Sequence, residues 1–354
     1  MSALNDFAAV SGGDWPTIQA ARQAARDRQE IFVTAFEGII PPDVSLVAFG
    51  SIARLEVTSG SDVDWTLLVD GSVDPRHHSL VVEVTRRFKV LDESAPGPEG
   101  VFGGLSISHD LVHLIGGEED TNANMTVRLL LLLESTAIGK RDAYARVLRA
   151  VLHRYISEDF GWQQANARNM PRFLLNDIVR YWRTITIDFA FKRRERSLEG
   201  WALRTVKMRM SRKLTFARGL LMCFNCSADA SLADEITGHP KDGPHAIAAA
   251  VSFLEKQVAC TPLDAMAAAV LPYEGLYEHG KKLFGAYEQF LMLLSDETAR
   301  KALKELSPDA AYSDPVFKRA RDIGHDFQAG LDAIFFDETS GSPYAVQTRK
   351  WGVF

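Results

Sequence analysis

The sequence predicts an α+β fold in two parts: a small unit of strands and helices over residues 1–135, then a larger all-helical unit over residues 136–354. Three observations carry this. The chain has 354 residues, more than one typical domain. Short apolar runs bounded by turn residues are confined to its first third, and from Met125 onward the apolar spacing is helical almost throughout. No disordered-type segment separates the two regimes, which suggests a shared interface rather than a free linker.

The elements follow in order. Asp14-Trp15-Pro16 reads as a helix start, with Asp14 as cap and Pro16 in the first turn; Ile18, Ala21, Ala25, Phe32 and Phe36 mark its apolar face. Pro41-Pro42 ends it. Val44–Phe49 is an unbroken apolar run, the mark of a buried strand. Gly50-Ser51 turns the chain into a short helical segment around 52–55, and Val63–Val69 is a second strand. Asp74-Pro75 opens a helix bearing Leu80, Val84, Phe88 and Leu91, which ends at the Pro- and Gly-rich stretch 95–100. Leu105–Ile115 reads as a third strand, broken by Gly116-Gly117. Helices are expected over 125–135, 142–155, 171–191, 201–221, 245–257, 277–294 and 315–336.

Composition narrows the function classes. Apolar residues are 46% and charged residues 24%, which excludes general disorder. The net charge of −6 argues against a protein that coats nucleic acid. The start of the chain lacks the basic and apolar regions of a signal peptide, and no apolar run is long enough to span a bilayer. Cys223 and Cys226 are spaced as CxxC without a second pair and read as small buried helix residues; with Cys260 they form no disulfide framework. The expected setting is a reducing cytoplasm.

The informative segment is Phe49-Gly50-Ser51, ten residues, then Asp62-Val63-Asp64. Two aspartates two apart on a strand project from one face. Carboxylates held that close repel each other unless a cation or proton offsets the charge. Such an oxygen-rich pair suits Mg²⁺, or Mn²⁺, which leaves coordination positions for phosphate oxygens. Gly50 permits close backbone approach, and Ser51 can donate its hydroxyl and N–H to a phosphate. An anion cradle followed by a metal anchor is the requirement of phosphoryl chemistry.

Gly50-Ser51-x-Ala53-Arg54 followed by Ser61-Asp62-Val63-Asp64 and an apolar strand resembles the signature of the DNA-polymerase-β-like nucleotidyltransferase superfamily. The resemblance is specific over residues 44–70 and extends plausibly over 15–120. It implies a mixed sheet flanked by helices, divalent metal on Asp62 and Asp64, and a nucleoside triphosphate held by Gly50, Ser51 and Arg54. It also implies a third carboxylate on a later strand. Asp110, in Ser106-Ile107-Ser108-His109-Asp110, is the favoured candidate because a charge amid apolar strand positions needs a reason. Asp120, in the polar loop before Met125, is the competitor. Beyond it, Arg128 reads as a charge that reaches the site or bridges the two parts, and Glu134 as a solvated charge.

Residues 180–218 hold twelve Lys and Arg against Asp188, Glu195 and Glu199, a net +9 in a chain of −6. Phosphate needs such partners. Asn176, Arg180 and Arg183 share one helix face, and Lys207 and Ser211 share another. In the family resembled, the helical domain supplies a lysine and a nearby serine to the phosphates, which implies Lys207 and Ser211 as nucleotide contacts; Arg180, on its basic helix face, is a further expected contact. The resulting expectation is a Mg²⁺-dependent transfer of NMP from an NTP to a hydroxyl of a small molecule or protein. Synthesis of an oligonucleotide, cyclic nucleotide or tRNA end, and an inactive nucleotide-binding module, are the alternatives. Nucleic acid is the less favoured partner, and no membrane partner is expected.

Overall fold

The computed structural model describes residues 2–93, 101–164, 169–195 and 199–352, without the side chains of 192–195. The expected linker at 95–100 and the cations Lys192, Arg193, Arg194 and Arg196 therefore lie outside the described residues or side chains. The fold is α+β. The first part runs α1 (Ala3–Ser11), α2 (Pro16–Ala35), β1 (Val44–Phe49), α3 (Gly50–Arg54), β2 (Trp65–Val69), α4 (Pro75–Val90), β3 (Leu105–Ile107), α5 (Ser108–Val112), α6 (Asn122–Leu133) and β4 (Ser135–Ile138). The rest is helical: α7 (Asp142–Ser157), α8 (Phe160–Gln163), α9 (Arg172–Glu195), α10 (Trp201–Lys207), a π-helical turn (Met208–Arg212), α11 (Lys213–Ala228), α12 (Ala230–Ile236), α13 (Pro244–Val258), α14 (Pro262–Val270), α15 (Tyr277–Ser295), α16 (Glu297–Glu305), α17 (Pro315–Phe336) and α18 (Tyr344–Gln347).

The sheet is mixed, in the order β3-β2-β1-β4. β1 is antiparallel to both neighbours, Val44 opposite Val69 and Phe49 opposite Ser135, while β3 runs parallel to β2. β1 is central and buried at all six positions, which is why it reads as an unbroken apolar run. β4 was not expected. It continues a run of five leucines, Leu129–Leu133, whose helical spacing hides the change of element, and as an edge strand it is short.

Three expectations are corrected. The strand predicted over Leu105–Ile115 stops at Ile107, and Ser108–Val112 is helix, so Asp110 is not in mid-strand. β2 begins at Trp65, so Asp62 and Asp64 precede the strand instead of lying on it; the Asp64 carbonyl still accepts from Phe49 N at 2.9 Å, which extends the pairing by one step. Asp14 does not cap α2. Its exposed first N–H groups, from Thr17 and Ile18, donate to the Glu288 carboxylate of α15 at 2.7 and 2.9 Å.

That contact belongs to a wider interface. α1 packs on α14 and α2 on α15, and one core cluster runs from Leu4 and Phe7 to Phe327 and Tyr344. A second, smaller core lies between the sheet, α2 and α4, around Phe32, Phe36, Trp65 and Phe88. The helical part thus grips the strand part from two sides. Among the described residues no helix is long and apolar enough to cross a membrane.

Candidate functional site

The chain leaves central strand β1 at Phe49 and turns at Gly50, whose φ of +64° is a left-handed conformation that favours glycine. A Cβ there would lie 3.5 Å from Asp64 Oδ2 and 3.8 Å from Arg54 Nη1. The hinge and the second aspartate are therefore in contact distance, as the spacing of the motif requires. Gly50 N donates to the Glu134 carbonyl at 3.2 Å, which ties the hinge to the α6–β4 junction.

These residues line a cleft together with Ser51, Glu56, Thr58, Gly60, Ser61 and Asp62 from the strand part. Its far wall is Lys207, Ser211 and Arg212 from the helical part, with Phe290, Leu291 and Leu294 of α15 and Arg300 of α16. The room inside is about 90 Å³. The loop bearing the aspartates is braced from both sides: Arg28 of α2 donates to the Ser61 carbonyl at 3.1 Å, and Arg300 donates to the Gly60 carbonyl.

The far wall owes its shape to a defect in a helix. α10, the π-helical turn Met208–Arg212 and α11 form one continuous rod, and the wider turn delivers Lys207, Ser211 and Arg212 to the cleft. Such bulges are expensive in regular hydrogen bonding and concentrate at functional sites. Ser211 Oγ donates back to the Lys207 carbonyl at 3.1 Å. Lys207 has no hydrogen-bond or ion-pair partner among the described residues, and neither does the Ser51 hydroxyl.

Electrostatics divide the site into a settled part and an unsettled part. Glu134, buried behind the cleft wall, accepts from Arg54 Nη1 at 2.5 Å, from Thr215 Oγ1 at 3.0 Å and from Arg212. Burial opposes its charge, but the two guanidinium groups win and hold its carboxyl below the usual range. Arg54 also binds Glu56 through Nε at 2.8 Å. Asp64 is different: burial, with Glu134 and Asp62 nearby, pushes its carboxyl up against the pull of Arg212 and Lys207. Burial pushes the Lys207 ammonium down, despite Asp62. A carboxylate and an ammonium in one cleft that both resist charging mark a place built for further charged groups.

Asp62 is exposed and Asp64 lies deeper, both in one cleft; among the described residues no group of three His, Cys, Asp or Glu could hold a metal by itself. Two carboxylates fit Mg²⁺ that brings phosphate oxygens and water as its remaining ligands, and they do not make an all-protein metal cage. The raised proton affinity of Asp64 is the strain such a cation relieves.

Of the residues expected from sequence, Gly50, Ser51, Arg54, Asp62, Asp64, Lys207 and Ser211 line this one cleft. Asp110 does not. It lines a separate hollow with Gly71, His109 and His113, beyond the C-terminal ends of β2 and β3, whereas the aspartate pair precedes β2. Asp120 and Arg180 are also elsewhere. Asp120 receives Arg128 Nη1 and Nη2 at 2.9 Å each, and Arg180 donates to the Asp120 carboxylate at 3.3 Å and to its carbonyl at 3.1 Å. Sequence reasoning missed Glu56, Arg212 and Arg300 in the cleft wall and misjudged Glu134 as solvated. Arg212 was within reach, being next to Ser211; Glu134 gave no signal. The +9 segment is not one basic surface either: Arg218 is buried against the carbonyls of Leu132, Gln257, Val258 and Cys260. Cys223 and Cys226 are buried in α11, and burial pushes both thiols up.

No protein-family model matches this chain, and no match to a curated protein is found.

Proposed function

We propose that the chain is a nucleotidyltransferase of the DNA-polymerase-β-like kind, which binds an NTP with Mg²⁺ in this cleft and transfers its NMP to a hydroxyl of a small molecule or protein. The observation that supports it most is the Asp64 carboxylate set against the Gly50 hinge, with the unpartnered Lys207 in the opposite wall. Asp62 and Asp64 would hold the cation, which supplies charge stabilisation to the entering and leaving oxygens. The Ser51 hydroxyl and the Lys207 ammonium orient the phosphates. The acceptor oxygen forms the new bond to the α-phosphorus, the bond to the bridging oxygen breaks, and pyrophosphate leaves with the electron pair. The hydroxyl proton leaves to water at the exposed mouth beside Asp62. Three unpaired thiols suit a cytoplasmic setting.

One observation favours a second reading. Neither Asp110 nor Asp120 lines the cleft, so a catalytically inactive nucleotide-binding module remains the competitor. The test is pyrophosphate release from ATP, GTP, CTP and UTP with Mg²⁺ or Mn²⁺, alongside thermal shifts. A metal-dependent shift for one NTP, with release at least about 100-fold lower in Asp62→Ala/Asp64→Ala, is expected. A shift without release means the module. No metal-dependent shift with any NTP overturns both.

A further inference from the structure

The rod that forms the cleft's far wall has a second face. Lys207, Ser211 and Arg212 look into the cleft, whereas Trp201, Thr205, Met208 and Arg209 look into a groove of about 730 Å³ shared with α17 and the loop before it. That size is typical of small-ligand sites. The groove is much roomier than the cleft and rests on no residue of the proposed reaction.

Its lining has two chemical characters. Trp201, Phe317 and Tyr312 supply rings: Trp201 and Phe317 meet edge to face at 5.2 Å, and Tyr312 is 86% exposed. A tyrosine so exposed loses much apolar contact that burial would supply, which singles it out on a folded surface. Arg209, Arg321 and His325 supply the second character, and no carboxylate belongs to the lining. Arg321 lies over the Tyr312 ring at 6.0 Å, and neither arginine has an ion-pair partner among the described residues. Burial lowers the proton affinity of the neighbouring Lys213 ammonium, and Arg209 lowers it further.

Rings and unpaired guanidinium groups in one concavity recognise a planar aromatic body that carries an anion. The ring stacks on Tyr312 and Trp201, and the anion meets the Arg209 and Arg321 forks. We infer that this groove is a second ligand site, distinct from the cleft, for a small aromatic anion such as an aryl phosphate or carboxylate.

The probe is 2-naphthyl phosphate, followed by calorimetry on the full chain, with 2-naphthol and inorganic phosphate as the ring-only and anion-only controls. Saturable binding is expected, at least about tenfold tighter than either control. Arg321→Ala, Arg209→Ala and Tyr312→Ala each weaken it about tenfold or more, with melting temperatures close to that of the parent. The Asp62→Ala/Asp64→Ala variant leaves it unchanged. No saturable binding, equal affinity in the three groove variants, or loss of binding in the aspartate variant each overturns the inference. Because the aspartates line the cleft and not the groove, failure here and failure of the nucleotidyltransferase reading are separate results.

Discussion

Two clusters of charge in this molecule are built on opposite principles. At the junction of α6, α7 and α9, Arg128 is fully buried and spends four hydrogen bonds on protein: Tyr155 Oη at 2.7 Å, both Asp120 oxygens at 2.9 Å and Asp177 Oδ2 at 2.9 Å. Tyr155 in turn donates to Asp177 at 2.6 Å. Hydrogen bonds to Arg128 pull the Asp120 carboxyl down despite burial, so each charge there is stabilised by a named neighbour. In the cleft, Asp64 is pushed up and Lys207 down. The first cluster is complete as folded. The second is left with charges that the protein itself does not answer. A buried ion network alone therefore says little about function; the direction in which its members are pushed separates a structural junction from a ligand site.

The hardest way to break this contrast is to remove a charge from each cluster. Arg128→Met leaves Asp120 and Asp177 with only the more exposed Arg180 as a cationic partner, and a loss of about 3 kcal/mol of stability is expected in chemical denaturation. Lys207→Met takes no such partner away and should cost less than about 1 kcal/mol. Similar losses from both would show that the two clusters are not different in kind.

Glu134, behind the cleft wall, was among the residues least legible in the sequence. Val44–Phe49 and Pro315–Phe336 carry their bounds in their own pattern, an unbroken apolar run for a central strand and a Pro start with helical spacing for a long helix. Five cleft residues were legible from local spacing: Gly50, Ser51, Arg54 and the two aspartates lie within fifteen positions, where chain geometry nearly dictates proximity, whereas Lys207 and Ser211 came from the resemblance. Glu134 had no such local cue. Its partners Arg54 and Arg212 lie 80 and 78 positions away, and only the folded chain reveals that a lone acid after five leucines faces inward. Asp110 failed in the reverse sense. Its apolar neighbours Leu111 and Val112 suggested a strand, but they are the buried side of a short helix that starts where β3 ends.

A gentler comparison uses pH. Asp64 holds its proton more tightly folded than unfolded, so its contribution to stability is fully present below the unfolded value of 3.8 and is lost as pH rises through the raised folded value. Asp120 has the opposite sign: its contribution is present above 3.8 and is lost as pH falls through the lowered folded value. At pH 7, Asp120→Asn should therefore cost about 2 kcal/mol, the order of a charge-assisted hydrogen bond, and Asp64→Asn should be neutral or stabilising. Melting temperatures of both variants and the parent from pH 3 to pH 8 would check this. Both differences should shrink toward the acid end. A destabilised Asp64→Asn protein at pH 7 would mean that Asp64 is already answered by protein.

The smallest expected effect concerns Arg300 at the cleft. Its guanidinium lines the cleft and donates to the Gly60 carbonyl of the aspartate loop. A Cβ on Gly60 would fall 0.6 Å from Arg300 Nη1, and the obstacle is the end of a flexible side chain, which can swing away. Gly60→Ala should then leave stability within about 0.5 kcal/mol while displacing Arg300. If Arg300 acts as a latch, Gly60→Ala and Arg300→Ala speed the association of ATP with Mg²⁺ by the same two- to threefold, on the order of 0.5 kcal/mol in the barrier. Stopped-flow fluorescence would resolve this. If both substitutions instead weaken equilibrium binding more than tenfold, Arg300 is a phosphate contact and belongs with Lys207 among the unanswered charges, which would sharpen the contrast with the closed junction around Arg128 from the other side.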